Sequence, residues 1–140
     1  MSSIYSQFKT NSDKENQGTS IHFGKNDDGS DIVFILARMG KSNKAYAKEL
    51  DRQISPIRRQ IQLNAVSESQ SDAIMLDVFV KTVLLNWENV QDENNTNIIF
   101  SIENAKKLLT DLPDLYEELQ SQAQNISLFK AEESEEMAKN

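Results

Sequence analysis

The side chains with the clearest capacity for chemistry lie between residues 92 and 103. Asp92, Asn94 and Thr96 alternate, Ile98 follows with its backbone carbonyl, and Glu103 closes a stretch of twelve residues. Oxygen donors at those intervals are what a helix-flanked calcium loop supplies, the last carboxylate being bidentate. The match fails at decisive places. Asn97 holds the position of the turn glycine, Phe100 replaces a polar residue, and only two carboxylates would face the ion. Concentrated anionic oxygen is missing, so the stretch reads as a polar connector in which Asn94 and Asn95 tolerate positive φ. His22 is the only histidine and the chain has no cysteine. Neither a metal ligand set nor a nucleophilic triad can be built around it. Glu132, Glu133, Glu135 and Glu136 form a solvated charge run, not an acid–base pair. The four glycines lack the spacing of a phosphate cradle. No metal, no cofactor and no enzymatic activity are therefore expected.

A charge asymmetry is the other candidate. Arg38, Lys41, Lys44, Lys48, Arg52, Arg58 and Arg59 stand against Glu49 and Asp51, seven cations to two anions and a balance of +5 in a chain of net charge −7. Such asymmetry points to an acidic partner surface or to nucleic acid. Two helices around Ser55-Pro56 would suit a helix-turn-helix, so a small DNA-binding regulator using residues 38–59 is the alternative function. Acidic residues elsewhere weaken phosphate steering, which makes nucleic acid the less favoured partner. Docking to another protein, or balance against the acidic C-terminus, is preferred. The expected contact residues are Arg38, Lys44, Tyr46, Lys48, Arg52, Ile57, Arg58 and Arg59, together with Trp87. Trp87 reads first as a core anchor, because it sits on an apolar face.

The elements that must position these groups can be read from periodicity. With 140 residues, 38% of them hydrophobic and 26% charged, the chain fits one domain with a modest core. The expected fold is mainly α: a helical domain with a small N-terminal β-hairpin and a short additional strand. Residues 1–19 are polar and read as a flexible segment, in which Ile4, Tyr5 and Phe8 are the apolar exception. The domain proper spans 20–129, and 130–140 is an acidic tail. Ser20–Gly24 and Asp31–Ala37 predict the hairpin around a turn rich in Asn, Asp and Gly. Ser42 is placed as the cap of a helix to about Gln53, with Tyr46, Leu50 and Ile54 on one face. Pro56 suits a first helical position. Ser67 and Gln70 have capping-box spacing and open the longest helix, read as Glu68–Trp87. Ile98–Phe100 predicts the short strand. Ser101 caps the next helix, and Pro113 restarts the chain into a last one striped by Leu115, Leu119, Ala123 and Ile126. No apolar run approaches the roughly 20 residues of a membrane span, and the N-terminus lacks a basic-then-apolar signal pattern. Absence of cysteine fits a cytoplasmic protein. Self-association stays open.

Several pieces, in order, resemble the tail assembly chaperones of long-tailed bacteriophages and prophages. They are Ala37-Arg38-Met39-Gly40, Asn43-Lys44-Ala45-Tyr46, Arg58-Arg59-Gln60-Ile61, Trp87-Glu88-Asn89-Val90-Gln91-Asp92, Ile99-Phe100-Ser101, Asn104-Ala105-Lys106-Lys107-Leu108-Leu109 and Leu112-Pro113-Asp114-Leu115. The similarity runs from about Ile21 to Phe129. Family members often carry glycine just before the tryptophan and in the loop after it, where this chain has Asn86 and Asn94-Asn95. The resemblance implies a non-enzymatic helper in the cytoplasm of the bacterial host. It would bind the tape-measure protein, recruit tail-tube subunits and be absent from the finished virion.

Overall fold

The computed structural model describes residues 3–131. Seven α-helices and three strands follow in the order α1 (Ile4–Phe8), α2 (Ser12–Gln17), β1 (Thr19–Lys25), β2 (Asp31–Leu36), α3 (Lys44–Ile54), α4 (Arg58–Gln62), α5 (Glu68–Thr82), β3 (Leu84–Glu88), α6 (Ile102–Asp111) and α7 (Pro113–Gln124). Short 3-10 turns occupy Ser55–Ile57 and Ile126–Phe129. The architecture is helix-rich but mixed, because the strands form one antiparallel sheet in the order β1-β2-β3.

The continuous apolar run of β2 predicts burial on both faces, and β2 is the central strand. Ile21 pairs with Phe34, and Phe34 with Trp87. Aromatic rings cross the sheet edge to face: Phe23 on Phe34 at 5.2 Å, Phe34 on Trp87 at 6.2 Å, Trp87 on Phe100 at 5.0 Å. Such contacts add to area burial and fix register. Phe79, Val80 and Val83 of the α5 end, Leu109 of α6 and Leu119 of α7 complete one core with Phe34, Leu36 and Trp87.

The expected hairpin is present, but it is part of a larger sheet, and the third strand is not the expected one. The long helix predicted to run to Trp87 stops at Thr82, and Leu84–Glu88 becomes β3. A continuous apolar run fits a buried helix or a buried strand equally well. Thr82 Oγ1 donates back to the Val78 carbonyl at 2.7 Å, and the edge of β2 offers hydrogen bonds that a helix could not use. Ile98–Phe100 is not a strand. Gln91 and Asn97 form an isolated bridge instead, and Ile98 N–H donates to the Val90 carbonyl.

The N-terminal segment also differs from expectation. Asn11 caps α2 by accepting from Asp13 and Lys14 N–H groups. Gly18 ends α2 at φ 96, where a Cβ would come within 2.9 Å of Ile35 Cγ2, so glycine is required for both dihedral and space. Glu15 is 4% exposed. Its carboxylate accepts from Arg38 Nη1 at 2.6 Å, Ser42 Oγ at 2.6 Å and Thr10 Oγ1 at 2.9 Å. Burial pushes this carboxyl up, and the three donors together outweigh burial and hold it below the usual range. Thr10 bridges Lys130, and Asn11 N–H donates to the Phe129 carbonyl at 2.7 Å. The acidic tail lies outside the described residues from position 132 onward.

Asn43, not Ser42, caps α3. Its Oδ1 accepts from Tyr46 N–H at 3.3 Å, while its Nδ2 donates to the carbonyls of Arg38 and Thr82, both at 2.9 Å. The side chain is fully buried. Asn43→Ala removes the cap and leaves the buried Thr82 carbonyl and the partly buried Arg38 carbonyl without their donor. The expected cost is about 2–4 kcal/mol, read as a lower urea midpoint at unchanged denaturant slope.

Candidate partner-binding surface

The residues singled out for contact separate into inward and outward groups. Arg38 turns inward to Glu15. Trp87 is buried, and its Nε1–H donates to the Ile98 carbonyl at 2.8 Å. Its ring lies in the core and leaves little surface for contact, and it anchors the loop beyond it. Tyr46 is half-buried against the core, and burial pushes its phenol upward. Arg52 is held by Glu49, and Arg58 by Asp51 at 3.1 Å. Lys44, Lys48 and Arg59 are exposed, and none forms an ion pair among the described residues.

Beneath the basic face lies an ion-pair hub that joins three helices. Asp77 of α5 accepts from Lys106 Nζ of α6 at 2.5 Å, Gln53 Nε2 of α3 at 2.6 Å and Lys81 Nζ at 2.7 Å. Burial pushes the Asp77 carboxyl up, but donation from Lys106, Lys81 and Gln53 prevails and holds it at about 2. Glu49 accepts from Arg52 and Gln53, and these hold it at about 2 as well. The hub is structural, since every donor is already paired within the chain.

Two apolar features face outward in the middle and later parts of the chain. The first is the tip of the arm formed by α3, α4 and the start of α5. Ile57 is half-buried and lines a small cavity of about 80 Å³ with Ile54, Ile61, Ile74 and Met75. Ile61 and Leu63 remain 44% and 68% exposed beside Arg58 and Arg59. The second is a groove of about 210 Å³ between the 91–97 loop and α6. Ile98, Leu108 and Leu112 supply its apolar lining, and Asp92, Glu93 and Asp111 its acidic edge, where Lys107 pairs with Asp111 at 2.7 Å. The loop shape is internal: Asp92 Oδ1 accepts from the N–H groups of Asn94 and Thr96 at 2.8 and 3.0 Å, and Asn95 takes φ 62. Asp92 is thus a turn cap, and among the described residues no group of three or more His, Asp or Glu side chains is placed to hold a metal. Ile99 and Ile102 are also exposed, at 81% and 42%. Sequence reasoning missed the groove, because its apolar lining and its acidic edge come from a loop and a helix face that only tertiary structure brings together. A third apolar feature is α1, which exposes Ile4, Tyr5 and Phe8 and buries nothing.

Among the described residues no helix is long and apolar enough to cross a membrane. Compared with known families, the chain matches the model of one, described as YdaY prophage protein, over residues 41–140. The match takes in the arm, the hub and the groove. No curated protein and no solved structure matches.

Two outcomes test this geometry. Asp77 and Glu49 titrate at about 2 in the fold, below their ordinary 3.8 and 4.5. Their stabilisation is complete above the ordinary values and is lost as pH falls through them towards 2. Asp77→Asn is expected to cost about 1–2 kcal/mol at neutral pH. Its stability curve should converge with that of the parent near pH 2. Trp87→Phe keeps a ring and removes the donor to Ile98. Amide exchange should then accelerate across 91–98, with a loss of about 1 kcal/mol in global stability.

Proposed function

The chain belongs to the YdaY prophage protein family, and from that premise we propose that it is a non-enzymatic assembly helper for a phage tail. In this reading it holds amphipathic helices of a tape-measure protein in the cytoplasm of the host cell and brings tail-tube subunits to them. The residue resemblance supports the role, and the open groove beside α6 carries it. A helix with apolar residues at i, i+3 and i+4 can lay them on Ile98, Leu108 and Leu112. Exposed Ile99 and Ile102 extend the apolar track, which is the kind of surface that shields an aggregation-prone helix. No bond is made or broken in such work, because the protein only competes with self-association of its client.

The DNA-binding alternative has less to stand on. Arg38, Arg52 and Arg58, three of the seven cations of residues 38–59, are engaged by Glu15, Glu49 and Asp51. That lowers the charge left for phosphate.

Co-expression with the tape-measure protein of the same prophage should raise that protein's soluble yield and lead to co-purification. Ile99→Glu with Leu112→Glu, both at exposed positions, should weaken capture by about tenfold or more without unfolding the chain. An unchanged soluble yield together with no co-purification would reject the role.

A further inference from the structure

The arm tip and the groove are complementary to one another. Around the groove, residues 91–121 carry Asp92, Glu93, Glu103, Asp111, Asp114, Glu117 and Glu118 against Lys106 and Lys107, a balance of −5. Residues 38–59 carry the opposite balance, +5 by sequence, of which Arg59, Lys44 and Lys48 have no ion pair among the described residues. One feature is an apolar knob flanked by guanidinium groups, Ile61 and Leu63 beside Arg58 and Arg59. The other is an apolar depression, Ile98, Leu108 and Leu112, rimmed by Asp92, Glu93 and the Lys107–Asp111 pair, so that Glu93 and Asp92 carry its uncompensated charge. A cavity of about 150 Å³ admits a benzene-sized guest, so the groove has room for aliphatic side chains of this kind.

We propose that the arm tip of one copy, Ile61 and Leu63 with their flanking arginines, docks in the groove of a second copy, between the 91–97 loop and α6. The occupant is a second copy of this chain because both halves of the contact are on the same molecule, with matched apolar character and opposite charge. The contact is heterologous: the surface given differs from the surface received. Arg59 meets the rim carboxylates, while Ile61 and Leu63 cover the apolar lining. Opposite charges raise the encounter rate and are screened by salt. Self-docking covers an apolar groove that would otherwise face water, and any client helix must displace it. The inference stands apart from the tail role, since its test uses only this chain.

The test uses two variants of the full chain, each changed only at exposed positions. Arg59→Glu with Leu63→Glu alters the arm; Glu93→Lys with Asp111→Lys alters the groove. Sedimentation of the parent at low salt should show mass rising with concentration and falling on addition of salt. Each variant alone should self-associate about tenfold or more weakly. An equimolar mixture of the two should give a one-to-one complex, because one intact arm then meets one intact groove. A parent that stays monomeric at low salt overturns the proposal, as does a mixture with no complex. If Tyr5→Ser with Phe8→Ser abolishes association while the arm variant retains it, the occupant is α1, and arm docking is overturned as well.

Discussion

The fold depends on a single buried amide. Asn43 follows the turn out of β2 and reaches the carbonyl of Thr82, where α5 gives way to β3. Around it, Ala37 N–H donates to the Val83 carbonyl at 2.8 Å and Met39 N–H to the Ala123 carbonyl at 2.9 Å. The chain therefore passes from sheet to helix after β2 and from helix to sheet after α5 in one place, and the same few polar groups satisfy both turns. A buried amide with every hydrogen bond made specifies geometry more sharply than an apolar contact of equal size, because alternatives leave donors or acceptors unpaired in a medium that cannot solvate them. No buried side-chain nitrogen or oxygen among the described residues lacks a partner. The sheet, the arm and the α6–α7 pair thus share one junction.

Much of this was legible in the sequence, and the failures are physically specific. Ser67, Ser101 and Pro113 mark helix starts that the structure confirms, since capping is local chemistry. The β1–β2 hairpin is local as well. The end of α5 was not legible. Val78 to Trp87 is apolar enough for either state, and the decision came from β2, whose open edge accepted Leu84–Glu88. The N-terminal segment was misread for the opposite reason. Asn11 and Gly18 are ordinary helix punctuation, but the surrounding polarity suggested no burial. Glu15 is buried all the same, because Arg38, Ser42 and Thr10 supply the donors that a carboxylate needs. Among the contact candidates, charge alone could not tell Arg38, facing a buried carboxylate, from Lys48, facing solvent.

The distribution of polarity separates holding together from meeting others. Asp77, Glu49 and their lysine, arginine and glutamine donors join α3, α5 and α6. The unpaired lysines and the exposed isoleucines and leucines lie beyond them, on the arm and along the groove. The scaffold is closed by its own pairs, and exposed apolar side chains such as Leu63 and Ile99 stand outside it. Asp92 of the loop and Asp77 and Glu49 of the hub already accept hydrogen bonds from their own chain.

The two ends of the described chain are stitched to each other. Asn11 donates to the carbonyl of Phe129, Ala131 donates to that of Lys9, and Phe129 is wholly enclosed. During synthesis the first of these segments leaves the ribosome long before the second exists. The early helix can meet Arg38 and Ser42 but cannot be sealed until more than a hundred further residues have emerged. Closure is thus a late, vectorial event, and a nascent chain interrupted before Phe129 would keep α2 only loosely seated.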